Sequence, residues 1–419
     1  MVEKAKYKTL KLDKGSELLL MGIFLMILGT ISDFIQFIVS INLPILRYCI
    51  FLGSFFYLSK GIIYSLGYNK FNLQLKIIVF SFLVCIIISL IRSIPKIFEG
   101  ENNFVLFKKL ISEDLVLLVL PFLILIKPNL YFYKRLIYYC YRMSFTGFIV
   151  IPFVFVLFKL KPAYGTEFLT KLFISSGSII LLTAIYHPWR KIFLILSASA
   201  FSLVILLLFA RRNMIVYATA VLFLSLFNYF FTSYLDRSKK KYSIILLLII
   251  SCFIGTIFFI FKDNFALTLE RFNSGFDSRE SIISEFSDDF NSHPLDWIFG
   301  RGLNGDFKTI ALATNLERGT RTGIENGYLN NILIAGWLYL GLLITISIHA
   351  IYLGFFKSRN LLSKAFAAII LIYFIDMIGF GIPELNIKYL IIWIGIGACL
   401  SQKMRSYSDA TIKRIVGLK

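Results

Sequence analysis

The sequence predicts an all-α polytopic membrane protein with about twelve transmembrane helices, and three observations support this. Hydrophobic residues make up 58% of the 419 residues and charged residues 16%, and the mean hydropathy of +0.78 exceeds what a soluble protein can bury. Apolar runs long enough to cross a hydrocarbon core of about 30 Å recur along the chain. Lysine and arginine, which give a net charge of +20, lie between these runs, where they act as topology signals and not as a nucleic-acid-binding patch.

The first apolar run follows a basic stretch that ends at Lys14. It is too long for the apolar region of a signal peptide and lacks a small-residue cleavage site, so we expect an uncleaved first span. The fourth run is short and contains Pro121, so it could be re-entrant or merge with its neighbour. The predicted spans lie near residues 18–39, 44–66, 75–92, 113–127, 143–159, 168–186, 191–210, 213–231, 242–261, 327–353, 361–380 and 386–402.

The positive-inside trend gives an orientation, because basic residues in short loops are retained on the cytoplasmic side. With the N-terminus inside, six basic clusters become cytoplasmic. The clusters are Lys4/Lys6/Lys8/Lys11/Lys14, Lys127/Lys134/Arg135/Arg142, Arg190/Lys191, Arg237/Lys239/Lys240/Lys241, Lys357/Arg359/Lys364 and Lys403/Arg405/Lys413/Arg414. Both ends are then cytoplasmic in a multi-pass protein.

This orientation divides the chain into four parts. Residues 1–261 hold nine transmembrane helices, and residues 262–326 form one long loop on the periplasmic or extracellular face. Residues 327–402 hold three further helices, and residues 403–419 form a basic cytoplasmic tail.

The long loop contains a predicted amphipathic surface helix that could lie on the bilayer or cap a cavity. Its signals are Asp277 as N-cap, Glu280 at the third helical position, and Ile282, Ile283, Phe286 and Phe290 at helical spacing. After Trp297, glycines 300, 302 and 305 predict a tight turn of unknown use. The turn matches a phosphate-binding glycine loop only weakly, since no strand is expected before it.

Arg211 and Arg212 lie where the seventh span ends and the eighth begins, on the predicted outer face. This placement departs from the positive-inside trend. Paired guanidinium groups match phosphate oxygens, so a polyanion at the outer leaflet is the favoured ligand. The alternative is that the two arginines only reach towards lipid headgroups.

The arginines of the long loop are mostly balanced by neighbouring acidic residues. For Arg301, Arg318 and Arg321 a solvated surface role is the favoured interpretation. Arg279 begins the predicted surface helix, where the helix dipole disfavours a cation, so an anionic partner is indicated.

Glu325, Asn326 and Tyr328 lead directly into the tenth span. A carboxylate at the start of a helix near the membrane surface could accept a proton from a hydroxyl nucleophile. Equally, glutamate and asparagine at this position could cap the helix. Within the spans, Asp33, Arg47, Lys60 and Asp376 could be functional, or could serve helix pairing and headgroup contacts.

Three features in this order resemble the bacterial O-antigen polymerase and O-antigen ligase superfamily. They are the arginine-bearing junction at residues 209–213, a long outer loop with Ser278-Arg279, His293-Pro294 and Gly300-Arg301-Gly302, and the stretch Glu325-Asn326-Gly327-Tyr328-Leu329 before Gly336. The resemblance covers roughly residues 205–345.

The resemblance implies a lipid-dependent glycosyltransferase of GT-C-like architecture that is inverting and needs neither metal nor cofactor. The donor would be an undecaprenyl-pyrophosphate-linked oligosaccharide, polymerised at the outer face of the inner membrane, and partners could include membrane lipid, a chain-length regulator and a flippase. Arg211 or Arg212 and Arg279 would bind pyrophosphate, with Asn326, Tyr328, Arg301 and Arg321 as further substrate contacts. Ligases carry a histidine where this chain has Glu325, which favours a polymerase with Glu325 as base.

Other functions are less favoured. An O-antigen ligase would differ only in transferring finished chains to a lipid A core. A lipid-linked oligosaccharide flippase or other transporter would be expected to show a two-half repeat. A non-catalytic scaffold would have no use for arginines at a span junction.

Overall fold

A computed structural model describes the greater part of the chain, and its described residues are mostly helical. Six of the described helices are long and apolar enough to cross a membrane, and shorter apolar helical stretches lie at Met214–Phe227 and Ile387–Leu400. This supports the predicted all-α membrane protein. The described residues are 13–39, 44–66, 73–98, 119–126, 129–158, 169–208, 212–234, 279–303, 305–309, 319–379, 383 and 386–418.

The first half of the described chain forms seven α-helices. A 3₁₀ segment at Leu120–Leu125 precedes the fourth, a π-helical turn at Leu169–Ile174 leads into the fifth, and a 3₁₀ turn at Ala184–Tyr186 follows it. The helices are α1 (Lys14–Val39), α2 (Pro44–Ser65), α3 (Leu73–Phe98), α4 (Leu130–Phe158), α5 (Ser175–Leu182), α6 (Trp189–Leu208) and α7 (Arg212–Tyr234).

The second half contains a small polar unit followed by helices. We call residues 279–303, 305–309 and 319–326 the lid. It contains α8 (Arg279–Asn291), α9 (Pro294–Phe299) and the antiparallel strands β1 (Phe307–Lys308) and β2 (Thr320–Arg321). The helices that follow are α10 (Gly327–Phe356), α11 (Leu361–Gly379), α12 (Ile387–Leu400), α13 (Gln402–Ser406) and α14 (Asp409–Val416).

Helix α4 begins at Leu130, so the prediction of a basic loop before a span at residue 143 is wrong. Lys134 and Arg142 lie on this helix, and each lies over the ring of a tyrosine, Tyr131 at 5.9 Å and Tyr138 at 4.5 Å. Buried side chains at helical spacing hold the opposite face against the bundle. They are Leu130, Tyr133, Leu136, Ile137 and Cys140.

Two other predicted spans differ from continuous helices. The described part of the fourth is the 3₁₀ segment that begins beside Pro121, whose ring and missing N–H disfavour regular α-helix. The sixth is divided between the π-helical turn, α5 and the 3₁₀ turn, and it ends before Pro188. The ninth, at residues 242–261, lies outside the described residues.

Both described ends of the chain lie at one end of the helical bundle. The Asn129 amide, just before α4, donates to Asp13, just before α1, at 3.2 Å. Residue 66, which follows α2, forms an isolated β-bridge with residue 126. The Leu361 N–H donates to Asp409 at 2.8 Å, and α14 packs on α4. We call this the terminal end. The lid lies at the opposite end, the lid end, where Asp296 contacts Arg92 near the end of α3.

Candidate functional site

The lid has an aromatic core of its own. Helix α8 buries Ile282, Phe286 and Phe290, three of the four residues that predicted an amphipathic helix, while Ile283 is exposed. The ring of Trp297 packs edge-on to both phenylalanines at 5.7 and 5.3 Å. The predicted cap at Asp277 lies outside the described residues. Because α8 buries its apolar face, the lid is a folded unit.

Arg301 lies at the centre of the polar part of the lid. Its guanidinium group forms ion pairs with Asp289 and, at 2.8 Å, with Asp296. It also donates to the Asp306 carbonyl at 2.8 Å and lies 4.5 Å above the Phe290 ring. The side chain is only 13% exposed. Burial alone would lower the pKa of Arg301, but the hydrogen bonds and charges of the two carboxylates outweigh burial and raise it. This cation therefore holds the lid together.

The glycines after Trp297 fit the lid into a break in α10. Gly336 interrupts this helix with φ of 77° and ψ of 179°, which leaves the carbonyls of Leu333 and Ile334 without their usual helical donors. The N–H groups of Arg301 and Gly302 donate to those carbonyls at 2.7 and 3.0 Å. The predicted turn of unknown use is thus a docking loop.

The end of α3 supports the same loop from its other side. The Leu303 N–H donates to the Ser93 hydroxyl at 2.6 Å, and that hydroxyl donates to the Ser89 carbonyl at 2.6 Å. Arg92 contacts Asp296 at 3.0 Å. A Cβ atom on Gly302 would approach the Ser93 backbone nitrogen to 2.9 Å. The lid is therefore attached to two membrane helices through close backbone contacts.

Glu325, Asn326 and Arg321 meet at the start of α10. The Asn326 side chain accepts from the N–H groups of Tyr328 and Leu329 at 3.0 and 3.2 Å, so Asn326 is the N-cap of this helix. An Arg321 guanidinium nitrogen lies 3.7 Å from a Glu325 carboxylate oxygen. Arg321 is largely buried, whereas the Glu325 side chain is 49% exposed. The carboxylate thus reaches the lid surface beside a cation.

Tyr328 connects this cluster to α11. Its hydroxyl donates to the Phe374 carbonyl at 2.9 Å. Phe374 lies two residues before Asp376, which the sequence singles out as an intramembrane charge. This hydrogen bond therefore links the start of α10 to the final turns of α11 at the lid end.

Asp376 forms an ion pair with Lys388 at the start of α12. Both side chains are more than nine-tenths buried. The Lys388 ammonium group lies 4.6 Å from the centre of the Tyr217 ring on α7. Lys388 was not among the predicted site residues, although a lysine at the edge of the last apolar run was a detectable signal.

Two other predicted intramembrane charges lie near aromatic rings. The Arg47 guanidinium group lies 5.8 and 5.7 Å from the rings of Tyr48 and Phe51, and Lys60 lies 5.3 Å from the ring of Phe56. These contacts agree with packing of long basic side chains along the helix surface. The Asp33 side chain lies outside the described residues.

Several predicted site residues have no described side chain. Arg211 and Arg318 lie outside the described residues. Arg212 and Arg279 are the first residues of α7 and α8, and only their backbone positions are described. Arg212 begins α7, and α7 packs against α11, the helix that carries Asp376. Arg279 lies at the first residue of a lid helix.

Comparison of the chain with protein-family models, with curated proteins and with solved structures finds no match. The resemblance to the O-antigen polymerase and ligase superfamily therefore stays a prediction from the sequence.

Proposed function

We propose that this protein polymerises undecaprenyl-pyrophosphate-linked oligosaccharide repeat units at the outer face of the bacterial inner membrane. The observation that carries the proposal lies at the end of α11. There the start of α10 with Glu325 contacts α11 through Tyr328, and Asp376 pairs with Lys388, whose ammonium group lies over Tyr217 in the second turn of the arginine-bearing helix α7. Cations and a half-exposed carboxylate at one membrane surface match a reaction that releases a diphosphate and deprotonates a hydroxyl.

In the proposed orientation the terminal end faces the cytoplasm and the lid end faces outwards. The basic residues between spans support this direction through the positive-inside trend. A carrier lipid in the outer leaflet could then reach the lid end from the side, with its diphosphate at the level of the headgroups. Arg301 is left out of the proposed substrate contacts, because two carboxylates, Asp289 and Asp296, together with the Asp306 carbonyl already engage its guanidinium group.

The proposed reaction is a single displacement at the anomeric carbon of the donor sugar. The hydroxyl oxygen of the acceptor repeat unit forms the new glycosidic bond, and the bond from the anomeric carbon to the diphosphate oxygen breaks. The electron pair stays on the diphosphate, which Arg211, Arg212 and Arg279 stabilise. The hydroxyl proton passes to the Glu325 carboxylate, which lies 3.7 Å from a guanidinium nitrogen of Arg321.

Incubation of the purified protein with one lipid-linked repeat unit tests this proposal. A ladder of glycan lengths formed without a second acceptor is the expected result. Arg211→Ala and Arg279→Ala should each greatly weaken the ladder, since each removes positive charge from the leaving group. No ladder with any repeat unit from the source cell would overturn the proposal.

The two main alternatives give different products in the same experiment. A ligase would transfer glycan only after a lipid A core acceptor was added, and one product length would appear for each donor length. A flippase or other transporter would move the labelled lipid across a vesicle membrane and leave its glycan length unchanged. The transporter alternative is favoured by one observation, the buried ion pair of Asp376 and Lys388, because charged residues inside a membrane protein often mark a transport pathway.

A further inference from the structure

A contribution to folding stability does not readily explain the buried ion pair of Asp376 and Lys388. Removal of two charges from water is unfavourable, and apolar residues of similar volume in place of a buried ion pair are often neutral or stabilising. Both side chains are more than nine-tenths buried. Charged residues inside membrane proteins commonly mark a ligand or ion site.

Two aromatic rings lie close to the Lys388 ammonium group. Its ammonium group lies 4.6 Å from the centre of the Tyr217 ring and 5.6 Å from that of Tyr389. The Tyr217 hydroxyl donates to the Ser175 hydroxyl at 3.1 Å. Ser175 follows the π-helical turn directly, and such turns occur often at functional sites. Helices α7, α11 and α12 thus meet at one buried cation, and α5 contacts Tyr217 beside it.

The position of Lys388 relates it to the predicted pyrophosphate binders. Tyr217 lies five residues after Arg212 on α7. At about 1.5 Å per residue, the Lys388 ammonium group packs against α7 roughly 7.5 Å along the helix from the backbone of Arg212. Tyr328, near Glu325, contacts α11 two residues before Asp376.

We infer that Lys388 is a further substrate-binding cation, which contacts the diphosphate of the lipid carrier from the bundle side. This inference rests on the proposed function. Asp376 holds the ammonium group in place when the site is empty. As the diphosphate takes up the electron pair of the breaking bond, the Lys388 charge stabilises it together with the arginines.

Binding of undecaprenyl pyrophosphate to the purified protein in detergent tests the inference. The informative variant is the double substitution Asp376→Leu with Lys388→Met, which removes both charges and should keep the fold. Its melting temperature should equal or exceed that of the wild type. Its affinity for undecaprenyl pyrophosphate should fall by about tenfold to a hundredfold, the usual effect of losing one charge-assisted hydrogen bond.

Two further variants separate binding from structure. Lys388→Arg keeps a cation and should retain most of the affinity. Exchange of the two residues, Asp376→Lys with Lys388→Asp, restores an ion pair but places a carboxylate where the cation was, so binding should stay weak. Tyr186→Phe, at the terminal end, is a matched control that removes a buried hydroxyl and should leave the affinity unchanged.

Failure of the inference and failure of the proposed function give different results. Wild-type protein that neither binds undecaprenyl pyrophosphate nor forms a glycan ladder would overturn the proposed function. Wild-type protein that binds the probe, together with a double apolar variant that binds and polymerises equally well, would overturn only the role of Lys388. In that case the pair serves helix packing.

Discussion

Glu325 and Asn326 are neighbours in sequence with different tasks in the structure. The Asn326 side chain is used to cap α10, which is the alternative that the sequence left open for this stretch. The Glu325 carboxylate lies beside Arg321 and is half exposed. Helix capping therefore accounts for Asn326, and the proton-accepting role stays a prediction for Glu325.

Glu325→Gln should reduce polymer formation by about 10²- to 10⁴-fold, because an amide cannot accept the hydroxyl proton. The rate of ladder formation measures this effect. The melting temperature should change little, since the cap is intact. Asn326→Ala is the control, and it should lower stability by about 1 kcal/mol through loss of the cap. Unchanged polymer yield in Glu325→Gln would remove Glu325 from the mechanism.

Arg301→Met should destabilise the lid by about 3 kcal/mol, because Asp289 and Asp296 lose their shared cation in a largely buried setting. Protease susceptibility of the lid in the purified protein measures the effect. Adding Asp289→Asn to Arg301→Met should restore part of the stability by removing an unpaired carboxylate. A lid as resistant as the wild type in Arg301→Met would contradict the structural role.

Among the elements, α10 shows how a helix break positions the site. Gly336 divides the helix into two parts, and the glycine loop of the lid fills the break. The second part, from Trp337 to Phe356, has twenty residues and is about 30 Å long, which matches the hydrocarbon core. The first part can then lie at the membrane surface beside the lid.

Gly336→Ala should release the lid from α10. An alanine Cβ would collide with the Ile298 carbonyl, and a φ of 77° is unfavourable for any residue with a Cβ. Faster proteolysis between residues 294 and 309 is the expected observation. Gly341→Ala is the matched control in the same helix, where a Cβ meets open space, and it should be neutral or slightly stabilising. Equal proteolysis in the two variants would argue against the docking.

The C-terminal tail is a docked element, with α13 and α14 packed at the terminal end. The His187 Nδ1 atom accepts from the Leu418 N–H at 3.1 Å, and Nε2 lies 2.9 Å from the Thr183 hydroxyl. Burial, followed by the nearby charge of Lys191, lowers the pKa of His187 to about 4. The folded tail therefore requires a neutral histidine.

Docking of the tail should weaken as the pH falls from about 6.5 towards 4. In that window the unfolded state binds the proton and the folded state does not, so protonation favours unfolding. The melting temperature of the wild type should fall more steeply over this range than that of His187→Asn, which has no titratable ring. Parallel curves for the two proteins would exclude this contribution of His187.

At the scale of the whole molecule, polar contacts place the described helix ends in two groups, one at each end of the bundle. The Asn129–Asp13 and Leu361–Asp409 hydrogen bonds lie at the terminal end, and Arg92 contacts the lid at the other. This grouping does not depend on the charge distribution that predicted the orientation, and it agrees with an even number of crossings. The total of twelve spans stays a prediction, since residues 242–261 lie outside the described part.

A cysteine-labelling experiment tests the proposed orientation. Lys308→Cys lies on the exposed side of β1 in the lid, and Lys413→Cys is exposed on α14. A membrane-impermeant maleimide applied to intact cells should label the first variant, and it should label the second only after permeabilisation. The wild type measures labelling of the natural cysteines, of which Cys49 is exposed. The reverse pattern would place the lid in the cytoplasm and overturn the proposed function.

Much of the architecture could be predicted because its causes are local in sequence. Apolar runs of sufficient length form membrane helices wherever they occur, and the ends of α1, α2, α6 and α7 follow them closely. The spacing of Ile282, Phe286 and Phe290 likewise indicated α8 and its buried face. The start of α4 was missed, because tyrosines and basic residues on one helical face resemble a polar loop when read in order along the chain.

The sequence by itself determined that the chain is a helical membrane protein, where most of its helices lie, and which charged residues needed an explanation. Only the tertiary structure decided their partners: Arg301 with two lid carboxylates, Arg321 with Glu325, and Asp376 with Lys388. The physical reason is that apolar burial depends on composition over a window of neighbouring residues. An ion pair or a docked loop depends on atoms that are distant in the chain and brought together by packing.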